Sequence, residues 1–173
     1  MHKLAIIILN YRTPGMVIEC LQSLQNQVRP DHRVVVVDNC SGDDSADTIE
    51  AAIKEQGWDE WAQVERSPIN GGFAAGNNVG IKSIDAEVYL LLNSDTIVRE
   101  GAIETMLDTL ETHPDVHMLG PQLEWMDGTH YRADVCIESR GLRQDVPVAC
   151  CRERTPWMVE RNRLGELRVH RDP

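Results

Sequence analysis

Residues 89–96 read "YLLLNSDT", and the fold turns on this stretch. An apolar run suited to a buried strand gives way at once to Asn93, Ser94 and Asp95, where burying a charge would be costly. An edge at which several buried strands end together, with polar groups gathered just beyond it, accounts for so abrupt a change.

Three further apolar runs support that geometry: 4–9, 34–37 and a shorter 116–119. Their β-branched, two-sided character suits strands covered on both faces, as in a parallel sheet. Helical patterns lie between them. Val17, Cys20, Leu21 and Leu24 form a stripe over 16–24, with Thr13 and Pro14 as an N-cap and first-turn pair. A similar stripe covers 46–53, a Gly-containing helix is expected over 74–84, and 102–110 is a patterned helix closed by His113-Pro114. Residues 61–65 are a further strand candidate. The alternation predicts an α/β fold with a Rossmann-like, doubly wound, mostly parallel sheet, in which ligands bind beyond the carboxyl ends of the strands at a topological switch point. Asn10 and Tyr11 close the first strand, Asp38 and Asn39 the second, and Asn93, Ser94 and Asp95 the strand of the opening stretch.

The chain has 173 residues, 42% of them hydrophobic, which is enough for one domain with a substantial core. Its net charge of −11 opposes a phosphate backbone, so nucleic acid is a poor partner. No stretch approaches the roughly 20 apolar residues that span a bilayer; peripheral membrane association stays open. Five cysteines without a CxxC pair fit a reduced, cytoplasmic protein, and Cys20 is read as packing. From 133 to 173 the composition turns Arg-rich and poorly patterned, and little independent order is expected there.

The segment "SPINGGFAAGNNVGI", 67–81, carries Gly71 and Gly72 for close backbone approach. Gly76 and Gly80 allow tight packing at successive helical turns, and Asn70, Asn77 and Asn78 supply donors and acceptors. It is neither GxGxxG nor a P-loop. A dehydrogenase would place its glycines after the first strand, where "NYRTPG" stands instead. Asp38 could accept from a ribose hydroxyl or from the N3–H of uracil or thymine. Asp95 suits a divalent ion, Mg2+ or Mn2+, shared with the phosphates of a nucleotide sugar: an acidic chain must offset diphosphate repulsion, and such an ion needs few protein ligands.

The ordered set "AIIILNYRTPGMVIECLQSL", "VVVVDNCSGDDSADTI", "NGGFAAGNNVGI" and "YLLLNSDTIV" resembles family 2 glycosyltransferases of the GT-A fold, in particular the rhamnosyltransferase-like members, over residues 3–130. The resemblance implies a nucleotide-diphospho-sugar transferase fold, with Asn10, Tyr11, Asp38 and Asn39 holding the base, and Asn70, Gly72, Phe73 and Asn78 bordering the donor. Asn93, Ser94 and Asp95 then stand at the DxD position, with Asp95 the metal ligand. It further implies a nucleotide-binding unit over 1–132, a UDP- or dTDP-sugar donor, a glycan or lipid-linked acceptor, inversion, and work in the cytoplasm at the inner face of the membrane.

The family's acceptor-side half, with its catalytic aspartate, finds no match. Glu124, Asp127, Asp134 and Glu138 are read as surface charges, and no base is assigned. A non-catalytic nucleotide-binding or regulatory module is the alternative. Pro114 breaks the helix that would align His113 and His117 for a metal. Ser94 lacks the glycines of a GxSxG nucleophile. Trp58, Trp61, Trp125 and Trp157 are read as packing before sugar stacking.

Overall fold

The computed structural model describes residues 1–121 and the strand segments 123–124, 149–151 and 159–160. In chain order the elements are β1 (His2–Asn10), α1 (Pro14–Leu24), β2 (His32–Asp38), α2 (Ser45–Glu55), β3 (Ala62–Arg66), α3 (Gly72–Ser83), β4 (Ala86–Asn93), β5 (Thr96–Val98), α4 (Ala102–Thr112), β6 (Met118–Leu119), β7 (Leu123–Glu124), β8 (Ala149–Cys151) and β9 (Val159–Glu160). Every helix and strand expected over residues 1–110 is present, with ends shifted by a few residues.

Among the described residues the main sheet runs β3-β2-β1-β4-β9-β6, and β5-β8-β7 form a smaller one. β3, β2, β1 and β4 are parallel, with Asn10 level with Asp38 and Leu9 level with Asn93. The chain winds outward from β1 through β2 to β3 and then returns to β1's other side as β4. The switch point therefore lies between the ends of β1 and β4, where the doubly wound rule places a ligand. β9 is the antiparallel member: it pairs antiparallel with both β4 and β6, so the fourth apolar run, β6, points the same way as the parallel strands. Strands β8 and β9 arise from a region expected to be poorly ordered. Their residues gain order by hydrogen bonding to β5 and β4, a long-range effect that local patterning does not carry.

Alternation along β1 divides the core. Leu4, Ile6 and Ile8 face α1, α2 and α4, whereas Ala5 and Ile7 join Val35, Val37 and Leu91 against Ile81 of α3. On the α3 side Gly76 and Gly80 let the helix lie close to the sheet: a Cβ on Gly80 would sit 2.6 Å from Ile7 Cγ2 and 2.9 Å from Val37 Cγ2. Cys20 is fully buried, and burial, with the Asp95 charge adding, holds its thiol far above the ordinary range. Trp58 and Trp61 pack with ring centroids 5.7 Å apart, Trp58 within the core. Trp125, Trp157, Asp127, Asp134 and Glu138 lie outside the described residues.

His32 opens β2 and is 1% exposed; its Nδ1 accepts from the Arg29 N–H, and its Nε2 lies 3.7 Å from the Asp31 carboxylate without a hydrogen bond. Burial lowers its pKa below the ordinary 6.5, with Arg29 and Lys3 adding and Asp31 opposing. The unfolded chain then binds a proton that the folded chain resists, so this contribution to stability is complete above pH 6.5 and is lost as the pH falls through the interval below it. Urea unfolding at pH 7.5 and 5.5 should show a larger loss for the wild type than for His32→Asn, which keeps an acceptor for Arg29 but no titrating ring. Equal losses would remove His32 from the acid response.

Candidate functional site

The same turn is built twice at the carboxyl edge. After β1, the Asn10 side-chain oxygen accepts from the Thr13 N–H at 3.2 Å and the Thr13 hydroxyl at 3.3 Å. After β2, Asp38 Oδ2 accepts from the Ser41 N–H at 3.1 Å, and Oδ1 from the Ser41 hydroxyl at 2.5 Å. The residue before each closing hydroxyl is left-handed: Arg12 at φ 60° and Cys40 at φ 56°. Asn and Asp favour such side-chain-to-backbone turns.

Side chains lock the two turns together. Asn10 Nδ2 donates to Asp38 Oδ1 at 2.7 Å and to Ser41 Oγ at 3.3 Å. The Arg12 N–H donates to Ser41 Oγ at 3.1 Å, and its Nε–H to the Ser41 carbonyl at 2.8 Å. The Ser41 hydroxyl thus gives one bond and receives two, its full capacity. Asn10 is wholly buried with both ends of its amide engaged, so it supports the edge from beneath. Tyr11 stands above it, 45% exposed, with the Arg12 guanidinium 5.3 Å from its ring centroid.

The second strand end also reaches the glycine segment. Asn39 Nδ2 donates to Asn70 Oδ1 at 2.9 Å, and the same oxygen accepts from the Gly72 N–H at 3.0 Å. Asn39 Oδ1 is buried without a partner among the described residues, leaving one acceptor beside the first turn of α3. Phe73 and Asn78 are half-buried in α3, while Asn77, 1% exposed, donates to the Phe73 carbonyl. Across the switch point, Ser94 Oγ lies 3.5 Å from Thr13 Oγ1. Ser94 and the half-buried Asp95 form the turn between β4 and β5.

Asn10, Tyr11, Asp38, Asn39, Asn70 and Gly72 therefore meet at one edge, with Ser94 and Asp95 joined to it through Thr13. Thr13 occupies the N-cap position, but its side chain caps nothing; the hydroxyl turns to Asn10. Ser41 and Arg12 were not singled out from the sequence, and Thr13 was read there only as an N-cap. Their signal was the shared spacing N-x-x-T and D-x-x-S after two apolar runs.

Asp95 offers one hard carboxylate oxygen set, and among the described residues no three His, Cys, Asp or Glu side chains gather into a cage. That donor set fits an ion completed by phosphate oxygens and water rather than one enclosed by protein.

Comparison with solved structures defines the fold. The chain matches the crystal structure of S. aureus TarS 1-349 in complex with UDP-GlcNAc at a TM-score of 0.62 and 23% identity, covering 79% of this chain and 38% of that one. It matches mannosyltransferase PcManGT from Pyrobaculum calidifontis in complex with GDP-Man and Mn2+ at a TM-score of 0.61 and 18% identity, over 70% of this chain and 36% of that one. The fold is that of the GT-A nucleotide-diphospho-sugar transferases. The chain belongs to glycosyl transferase family 2, whose model matches residues 5–163. Glycosyltransferase GlyG of Streptococcus pneumoniae serotype 4 is 24% identical over 147 residues, 82% of this chain and 48% of that protein. The chain spans less than half the length of each of these relatives.

Proposed function

We propose that this chain provides the donor site of a glycosyltransferase that moves a sugar from a nucleoside diphosphate sugar to a glycan or lipid-linked acceptor. The observation that carries the proposal is the meeting of the β1, β2 and β4 ends with the start of α3 at the switch point of a family 2 fold. The base end is the tandem turn, with Tyr11 exposed beside Asp38 and Asn39; the first turn of α3, with Asn70, Gly72, Phe73 and Asn78, borders the donor; Asn93, Ser94 and Asp95 face the diphosphate.

Relatives support the donor class, since the TarS structure holds UDP-GlcNAc and the mannosyltransferase holds GDP-Man and Mn2+. A divalent ion on Asp95 would offset the diphosphate's charge and stabilise the leaving group. The motif set favours a rhamnosyl or other hexosyl donor on UDP or dTDP, transferred with inversion at the cytoplasmic face of the membrane. Residues 1–132 form the nucleotide-sugar-binding unit in this reading, and 133–173 an Arg-rich addition to it. No residue is assigned as the base that deprotonates the acceptor.

Calorimetric titration of the full chain with UDP, dTDP and GDP, with and without Mn2+, tests the proposal. Binding that requires Mn2+ and weakens by about tenfold or more in Asp95→Ala is expected, a loss of about 1.4 kcal/mol. Absence of binding in every arm would leave a shared fold without a shared site.

A further inference from the structure

We infer that Arg12 is a positioning residue that holds the Tyr11 ring as a ready-made stacking face for the donor's nucleobase. The inference rests on the reading of the tandem turn as the base end of the donor site.

The left-handed backbone at Arg12, φ 60°, is unfavourable for a residue with a side chain and persists only where its surroundings over-determine it. Here two hydrogen bonds to Ser41, through the Arg12 N–H and Nε–H, and the ring of Tyr11 supply that restraint. The twin turn shows that an arginine is not needed to make this conformation. Cys40 adopts it at φ 56° with a short side chain and an exposed surface. What Arg12 adds is its guanidinium, 5.3 Å from the ring centroid of Tyr11, within the range of a cation–π contact.

Tyr11 needs such a restraint. Its ring is 45% exposed, and among the described residues no hydrogen bond ties its hydroxyl, so it would otherwise sample several rotamers. A flat ligand that stacks on it would then have to freeze that motion on binding. Clamping the ring beforehand removes the cost, and the clamp is itself anchored to the buried Ser41. The planar guanidinium can lie flat on an aromatic face while its Nε–H holds Ser41; a lysine ammonium attracts the ring as a point charge but supplies neither the flat plane nor that anchor.

Titration of the full chain with uridine, UDP and pyrophosphate, in Mn2+, separates this role from direct phosphate binding. Arg12→Ala should weaken uridine and UDP by the same factor, roughly three- to tenfold, and leave pyrophosphate unchanged. In a Tyr11→Ala background Arg12→Ala should cost nothing further. Arg12→Gly suits the left-handed backbone, so it should retain the wild-type thermal midpoint while losing the same affinity. Arg12→Lys should remain weak. A loss confined to UDP and pyrophosphate, full recovery by lysine, or a penalty that persists without Tyr11 would overturn the inference. If Arg12→Ala is silent while Tyr11→Ala weakens uridine, the inference fails and the donor site stands; if the wild type binds neither uridine nor UDP, the donor-site reading fails with it.

Discussion

Gly80→Val is expected to lower the unfolding free energy by about 3 kcal/mol, the upper end of what overpacking a close-packed core costs. The first added atom alone would lie 2.6 Å from Ile7 Cγ2 and 2.9 Å from Val37 Cγ2, separations that real side chains do not show. Neither neighbour can yield cheaply: both are fully buried and branched, and they sit on adjacent strands whose register is fixed along their length. The helix must move instead. Replacing glycine within a helix gains up to about 1 kcal/mol of propensity, so Gly80→Ala should cost less than Gly80→Val. Gly76 offers a contrast. A Cβ there approaches the Cδ1 end of half-buried Leu9, which can rotate away, so Gly76→Ala should be milder than Gly80→Ala. Urea unfolding of the three variants measures this order directly. A Gly80→Val protein within about 0.5 kcal/mol of wild type would show that α3 has room against the sheet. Because α3 begins at the glycine segment, its displacement should also weaken nucleotide binding.

The α/β alternation and the gathering of polar residues at the strand ends were legible because both follow from local pattern. Two-sided apolar runs mark the parallel strands, stripes such as Val17, Cys20, Leu21 and Leu24 mark the helices, and the polar residues that stop each run mark the edge. Two things were not legible. Strands β8 and β9 exist through hydrogen bonding to residues far away in the chain, and nothing in their own composition announces it. The division of labour within the edge was also hidden. Asp38 and Asn10 have the chemistry of ligand-binding groups, yet Asn10 is sealed beneath the turn, and Asp38 is 7% exposed with three hydrogen bonds already accepted from Asn10 and Ser41. Residue type told which groups could bind; only the packing told which bonds they had already made.

That distinction sets the expected behaviour of Asp38→Ala, which should lose about 3–5 kcal/mol of stability as well as nucleotide affinity. Truncation removes the acceptor of three donors at once: the Asn10 amide, the Ser41 hydroxyl and the Ser41 N–H. Asn10 and Ser41 are 0% and 1% exposed, so water cannot replace the carboxylate without opening the turn. Each buried donor left unpaired costs about 1–3 kcal/mol, and partial relaxation keeps the sum below the maximum. The damage should then spread to β1, because Ser41 also holds Arg12 and Asn10 also holds Thr13. Asp38→Asn tests the geometry more finely. Its amide oxygen can still receive Asn10 and the Ser41 hydroxyl, but its NH2 group would face the Ser41 N–H, donor against donor. It should therefore be destabilised by about half as much as Asp38→Ala, the cost of the single bond that it cannot remake. Equilibrium unfolding of both variants, beside titration with UDP, separates two roles for this carboxylate. If Asp38 served only to read the base, both variants would unfold at the wild-type midpoint and differ in affinity alone. Loss of stability in the order Ala greater than Asn, with affinity falling in step, would identify Asp38 as the residue that builds the site.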